Sequence, residues 1–263
     1  MSLSQNDTDL INNAKDGNLR EVRDLLRAGA NVNSKDANGS TALIWACFNG
    51  HSYVALALLK RDNVDVNVKN SYGFTALYWA CINDHSDVAL EILKRDNVDV
   101  NAKDSDGLTA LYWACSMSLP DVALEILKKD NVDVNTKDRE GRTALYWACD
   151  NNLSDVVCEL VDVNAQENDG RTALHLATQE DHVEVVRALL LHDMVDPNAK
   201  GALGNTALIW ACLWGHVDVV RELLECDRVD ANLRNKAGST ALDIARKCHL
   251  FEITSCLEEH ERR

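Results

Sequence analysis

The chain has 263 residues, 46% of them hydrophobic, with 2 Pro, 12 Gly and a formal charge of −15 from 42 acidic against 27 basic side chains. That apolar content supports a packed core and excludes a disordered or low-complexity chain. The negative field repels phosphate backbones and anionic lipid, so nucleic acid and membrane surfaces are excluded as partners; it favours a basic partner, or serves solubility alone.

The N-terminal residues 7–33 read as an atypical first pair of helices. Asp7 is expected to cap a helix running through Lys15, Asp16-Gly17-Asn18 to turn, and a second helix to carry Val22, Leu25 and Leu26 on one face. From Asp36 onward one grammar repeats. Asp36-Ala37-Asn38-Gly39 is a turn with Gly where positive φ is needed. Thr41 starts a short helix carrying Leu43, Trp45, Ala46 and Cys47, and Asn49-Gly50-His51 breaks it. A second helix, Ser52 to Arg61, turns Val54, Ala55, Leu58 and Leu59 inward. Val88, Ala89, Ile92 and Leu93 repeat that stripe, as do Val219, Val220, Leu223 and Leu224. The unit is therefore two short antiparallel helices and a protruding turn.

One string organises the chain. Thr75-Ala76-Leu77-Tyr78-Trp79-Ala80-Cys81 recurs unchanged from Thr109 and Thr143, with Ile for Tyr from Thr41 and Thr206, and loosely from Thr172 and Thr240. Successive starts differ by 34, 34, 34, 29, 34 and 34 residues, a period that marks a solenoid of stacked units. At the short interval Leu127 to Asn131 lose their counterpart, and Val132-Asp133-Val134-Asn135 aligns with Val161-Asp162-Val163-Asn164. A second helix should lose its last turn there, about 7 Å of rise, with Val161 serving both helix and exit. The loss is either a neutral deletion or a bend that shapes the surface. In the last unit, 235–263, Ile253 and Leu257 are expected to cover the stack while Glu258 to Arg263 face water.

Five of the nine cysteines, Cys47, Cys81, Cys115, Cys149 and Cys212, hold one place in the repeat. Stacked helices lie roughly 8–10 Å apart, beyond the ~7 Å reach of a disulfide, so these read as buried apolar residues in a reducing compartment, cytoplasmic or nuclear. The first residues lack a basic region followed by an apolar run, and no stretch approaches the roughly 18 apolar residues of a membrane span. No Cys-x-x-Cys, His-Glu-x-x-His, Gly-x-Ser-x-Gly or glycine-rich phosphate loop occurs, so no metal, cofactor or catalytic residue is expected.

The turn glycine, the Thr-led helix, Gly50-His51, Gly215-His216, His175 and Val134-Asn135 together resemble the ankyrin repeat. Ala stands for the family's Pro after every Thr, while Tyr78, Tyr112 and Tyr146, or Ile44 and Ile209, stand for its His. The resemblance implies an all-α ankyrin-repeat solenoid of about eight helix-turn-helix units including both caps. One domain, 1–263, would hold units at 1–35, 36–69, 70–103, 104–137, 138–166, 167–200, 201–234 and 235–263. It also implies a monomeric, non-catalytic module that holds a protein or peptide on a concave face of turn tips and first-helix ends. Carried over by position, Phe48, Tyr72, Phe74, Ile82, Leu108 and Met117 form an apolar patch over three units, with Trp214 further along. Protruding aromatics are typical binding anchors. The exit asparagines Asn33, Asn67, Asn101, Asn135, Asn198 and Asn232 resemble acceptors of asparaginyl hydroxylation, against a role only in bracing turns. Two other functions stay open: a regulatory or recruiting subunit, or fragment, of a larger enzyme complex, and a rigid scaffold.

Overall fold

The computed structural model describes residues 3–160 and 164–262, which divide into two compact units at Thr136/Lys137. That division falls one repeat before the short interval. Val161, Asp162 and Val163 lie outside the described residues, as do Met1, Ser2 and Arg263.

In the first unit the helices come in pairs: α1 (Gln5–Asp16) with α2 (Leu19–Arg27), α3 (Ala42–Phe48) with α4 (Ser52–Leu59), α5 (Ala76–Ile82) with α6 (Ser86–Leu93), and α7 (Ala110–Ser116) with α8 (Pro120–Leu127). First helices stack on first helices, α3 against α1 and α5; second helices stack on second, α4 against α2 and α6. The second unit repeats the plan with α9 (Ala144–Asp150), α10 (Ser154–Glu159), α11 (Ala173–Gln179), α12 (Val183–Leu190), α13 (Ala207–Trp214), α14 (Val217–Glu225), α15 (Ala241–Lys247) and α16 (Phe251–His260). No strand occurs among the described residues beyond the isolated bridges Lys35 with Thr41 and Gln166 with Thr172. None of these helices is long and apolar enough to cross a membrane.

The repeated string now has physical reasons. Its Thr is the N-cap: the hydroxyls of Thr41, Thr75, Thr206 and Thr240 accept from the backbone N–H three residues on. Its Leu, second Ala and Cys are buried along the first helices, and Cys47, Cys81 and Cys212 are free thiols. The break between paired helices needs a left-handed residue. Gly17, Gly50 and Gly215 fill it at φ 78°, but Asp84, Ser118, Asn152, Asp181 and His249 adopt the same conformation without being glycine.

The structure corrects the N-terminus. Ser4, not Asp7, caps α1, its hydroxyl accepting from Asp7 N–H at 3.2 Å. Asp7 instead accepts from Asn31 N–H at 2.7 Å, tying the cap's ends together, and this bond holds its carboxyl below the usual range. The second helix of the next repeat stops at Leu59, where the chain turns with Arg61 N–H on Leu58 carbonyl. At the short interval α10 has 6 residues against 8 in α8, and Leu160 leaves it in extended conformation. In the last repeat, Ile253 and Leu257 are buried as expected.

Candidate functional site

The first unit carries an aromatic groove between the repeat that begins near Asp36 and the one that begins near Asn70. Its volume is about 260 Å³. One side is built from Ser40, Ile44, Trp45 and Phe48, the other from Tyr72, Phe74 and Trp79, with Asn38 and Asn70 at the turns. Phe48, the last residue of α3, stands edge-on to Trp45 (centroids 5.5 Å) and to Trp79 (4.5 Å). Phe74 lies edge-on to Trp79 at 5.1 Å and stacks between Tyr72 (6.3 Å) and Tyr78 (4.4 Å). Offset and edge-on contacts are the favoured geometries of aromatic pairs, so the walls are rigid. Burial, then the carboxylates of Asp104 and Asp106, push the Tyr78 phenol up to about 12, and it stays neutral.

Turn chemistry sets the groove's polar edges. Asp36 Oδ1 accepts from Asn38 and Ser40 N–H, and its Oδ2 accepts from Trp45 Nε1–H at 2.8 Å. Asp104 holds Trp113 in the same way at 2.9 Å. In the repeat between them the residue is Asn70. Its Oδ1 accepts from Tyr72 and Phe74 N–H at 3.0 Å, and its Nδ2 donates to Ser40 Oγ. An amide NH2 cannot accept, so Trp79 Nε1–H has no acceptor among the described residues.

Of the residues singled out from sequence, Phe48 (42% exposed), Tyr72 (59%) and half-buried Phe74 come together in the groove. Ile82, half-buried at the end of α5, and Met117, 36% exposed beyond α7, do not line it. Leu108 is a correction. It is only 5% exposed: its N–H bonds to Asp104 Oδ1 as that of Phe74 bonds to Asn70 Oδ1, but its smaller aliphatic side chain is drawn into the stack. It offers a partner no surface. Trp214 belongs to the second unit; it is 57% exposed at the end of α13, and Leu203 and Leu213 are exposed there as well. Sequence reasoning placed Trp45 on the first helix and Trp79 in the repeated string, and named neither as a groove wall. The available signal was Trp where the resembling repeats carry Leu, beside a small Ser40.

The exit asparagines form a ladder. Asn33 donates to Asn63 carbonyl at 2.7 Å and accepts from Asp65 N–H at 2.8 Å. Asn67 does the same to Asn97 and Asp99, and Asn101 to Asn131 and Asp133. In the second unit Asn198 repeats the pair on Arg228 and Asp230, as does Asn164, not singled out from sequence, on Met194 and Asp196. Asn232 sits in the last such turn. His175 makes a repeat-to-repeat bond. Its Nδ1 accepts from Thr172 Oγ1 at 2.9 Å and its Nε2–H donates to Asn205 carbonyl at 3.0 Å. Burial lowers its pKa and keeps the ring neutral.

A family profile described as "Ankyrin repeats (3 copies)" matches residues 10–104, 63–138, 90–168, 123–201, 156–235 and 194–261. Among curated proteins, osteoclast-stimulating factor 1 of Rattus norvegicus and of Xenopus laevis are each 43% identical over 58 residues. That stretch is 22% of this chain and 27% of each relative, so the chain spans about a quarter of their length. The Sus scrofa protein of the same name is 41% identical over 58 residues, with the same coverage.

Proposed function

This chain belongs to the ankyrin-repeat family, whose members generally mediate protein–protein interaction and are typically non-catalytic, and on that premise we propose that it holds a protein or peptide partner in the groove of its first unit. The carrying observation is the open aromatic groove itself, whose Phe48 and Tyr72 stand exposed side by side with half-buried Phe74. Large aromatics bring contact area at small rotamer cost, and such anchors dominate affinity when a partner desolvates them. The net charge of −15 favours a basic partner and speeds its encounter. The buried thiols Cys47, Cys81 and Cys212 suit a reducing setting, cytoplasmic or nuclear. A monomer that presents this face is the working unit of the proposal. An idle scaffold would have no need of exposed aromatic walls.

Selection of binders from a random peptide library, followed by calorimetry against variants, tests the proposal. Phe48→Ala and Tyr72→Ala should each weaken the selected peptides by about tenfold or more while leaving the unfolding midpoint within a few degrees. Binders insensitive to both changes, but lost on reversing the charges of Lys60 and Lys94 on the second-helix surface, would move the partner to the opposite side. The exit asparagines, half-exposed and clamped at Asn33, Asn67, Asn101 and Asn198 and exposed at Asn135 and Asn232, remain proposed hydroxylation acceptors; incubation with an asparaginyl hydroxylase and a mass map showing no added oxygen would remove them.

A further inference from the structure

The residue just before the capping Thr decides what covers the first-helix aromatics, and the repeats give different answers. Phe74 covers Tyr78 and Trp79, with centroids at 4.4 and 5.1 Å. In the second unit the equivalent residue is Arg142. Its guanidinium carbon lies 5.6 Å from the Tyr146 ring and 4.9 Å from the Trp147 ring. Its Nε–H donates to Asp138 Oδ2 at 2.7 Å. In the grooved repeat the equivalent residue is Ser40, too short to reach the rings, and the corresponding space over Ile44 and Trp45 is the groove.

Resting on the groove reading above, we infer that the groove takes an arginine side chain of the partner, seated as Arg142 is seated in its own repeat. Two of the elements that hold Arg142 are present: Trp45 stands for Trp147, and Asp36 stands for Asp138, while Ile44 replaces Tyr146 and Asn38 replaces the second carboxylate, Glu140. Asp36 Oδ2 takes one bond, from Trp45, and a carboxylate oxygen has a second lone pair for a guanidinium. Trp45 already attracts a cation on its N-terminal side, where Lys15 Nζ lies 4.4 Å from the ring centroid; the groove opens towards the following repeat. Phe48, Tyr72 and Trp79 add faces that the Arg142 site lacks. The unfilled Trp79 Nε1–H is a donor for a peptide carbonyl beside that arginine. A planar guanidinium suits stacked aromatic walls better than an ammonium does.

The test uses the full chain and three acetylated, amidated pentapeptides, Gly-Ser-X-Ser-Gly, with X as arginine, citrulline or phenylalanine. The readout is the indole N–H signals of the tryptophans by NMR, with Trp45 and Trp79 assigned by single Trp→Phe changes. The arginine peptide should shift both signals saturably, and its neutral citrulline twin should need about tenfold more peptide. Ser40→Arg, which supplies the guanidinium internally, should abolish the shift in a folded protein; Ser40→Phe, which copies Phe74, serves the same purpose if the first variant does not fold. Equal response to citrulline, or an undiminished shift in a folded Ser40 variant, overturns the inference. A response to the phenylalanine peptide alone also overturns it while leaving the groove as a binding face. With no response to any peptide the arginine assignment falls, and the library binders judged on Phe48→Ala decide the groove separately.

Discussion

Phe74 lies nearly flat on Tyr78, ring planes 16° apart and centroids 4.4 Å apart. A wall residue is thus also a structural one. Phe74→Ala should lower the stability of the first unit by about 2 kcal/mol, from lost area and lost ring contacts, and weaken binding as well. Phe48→Ala, at a more exposed site, should cost about 1 kcal/mol or less and is the cleaner probe of binding. Urea unfolding followed by tryptophan fluorescence separates the two. Equal losses at both positions would mean that the walls are equally buried.

His175 gives the second unit an acid limit. Burial lowers the pKa of its imidazole from the ordinary 6.5, so the folded chain refuses a proton that the unfolded chain accepts. Above that value both states are neutral and the ring's stabilising bonds are intact. As pH falls from 6.5 towards the lowered folded value, the unfolded state gains protons first and stability declines. His175→Ile, which copies the buried Ile209, should flatten this decline. Denaturation midpoints at about pH 7 and about pH 5 for both proteins check it.

Ser118 adopts φ 57° on an exposed break between α7 and α8, where Gly17, Gly50 and Gly215 stand in other repeats. Ser118→Gly should raise stability by about 0.5–1 kcal/mol by relieving left-handed strain, and Gly50→Ala should lower it by a similar amount or more. Thermal melts of both variants decide the sign. A loss on Ser118→Gly would show that the side chain contributes more than the backbone strain costs.

Asn67 joins its turn to the next through two bonds, so Asn67→Ala leaves a carbonyl and an N–H unpaired. The cost should be about 1–2 kcal/mol. Asn232 makes no such pair of side-chain bonds among the described residues, and Asn232→Ala should cost a few tenths of that amount. Similar losses at both positions would contradict bracing between turns as the source of the effect.

The thiols should divide by burial. Cys81 and Cys212 are pushed up to about 12, chiefly by burial, and Cys47 and Cys115 are raised for the same reason. Cys158 and Cys248 are exposed. Iodoacetamide on the native protein should label Cys158 and Cys248 within minutes and leave Cys47, Cys81, Cys115, Cys149 and Cys212 unmodified until the chain unfolds. Peptide mapping after timed labelling shows the order.

Much of the fold was legible because each repeat states its rules locally. Thr41 and its counterparts announce caps, Gly50 and Gly215 announce breaks, and the Val–Ala–Leu–Leu stripes announce buried faces. The groove was less legible because it depends on pairs. Whether Trp45 is a wall or an interior residue depends on Ser40 being too short to cover it. Whether Phe74 protrudes depends on Tyr78 lying beneath it. Leu108 shows the same limit: its sequence position matches Phe74 and a Tyr-Trp pair follows both, yet the smaller aliphatic chain is buried where Phe74 is only half-buried. Position in a repeat fixes the backbone, and side-chain size decides what the backbone leaves open.

The asparagine ladder has a consequence for how such a chain changes length. Each amide NH2 reaches a carbonyl 30 residues ahead and each amide oxygen an N–H 32 residues ahead. A copied segment of 34 residues therefore arrives with its own fastener and with the eye for its predecessor's, whichever junction receives it. Gene duplication can extend the array, and loss of one whole repeat can shorten it, without any new interface being invented. Lengthening by a few residues has no such ready-made seam. The identical Thr75, Thr109 and Thr143 copies of the string sit in repeats that join by this same seam.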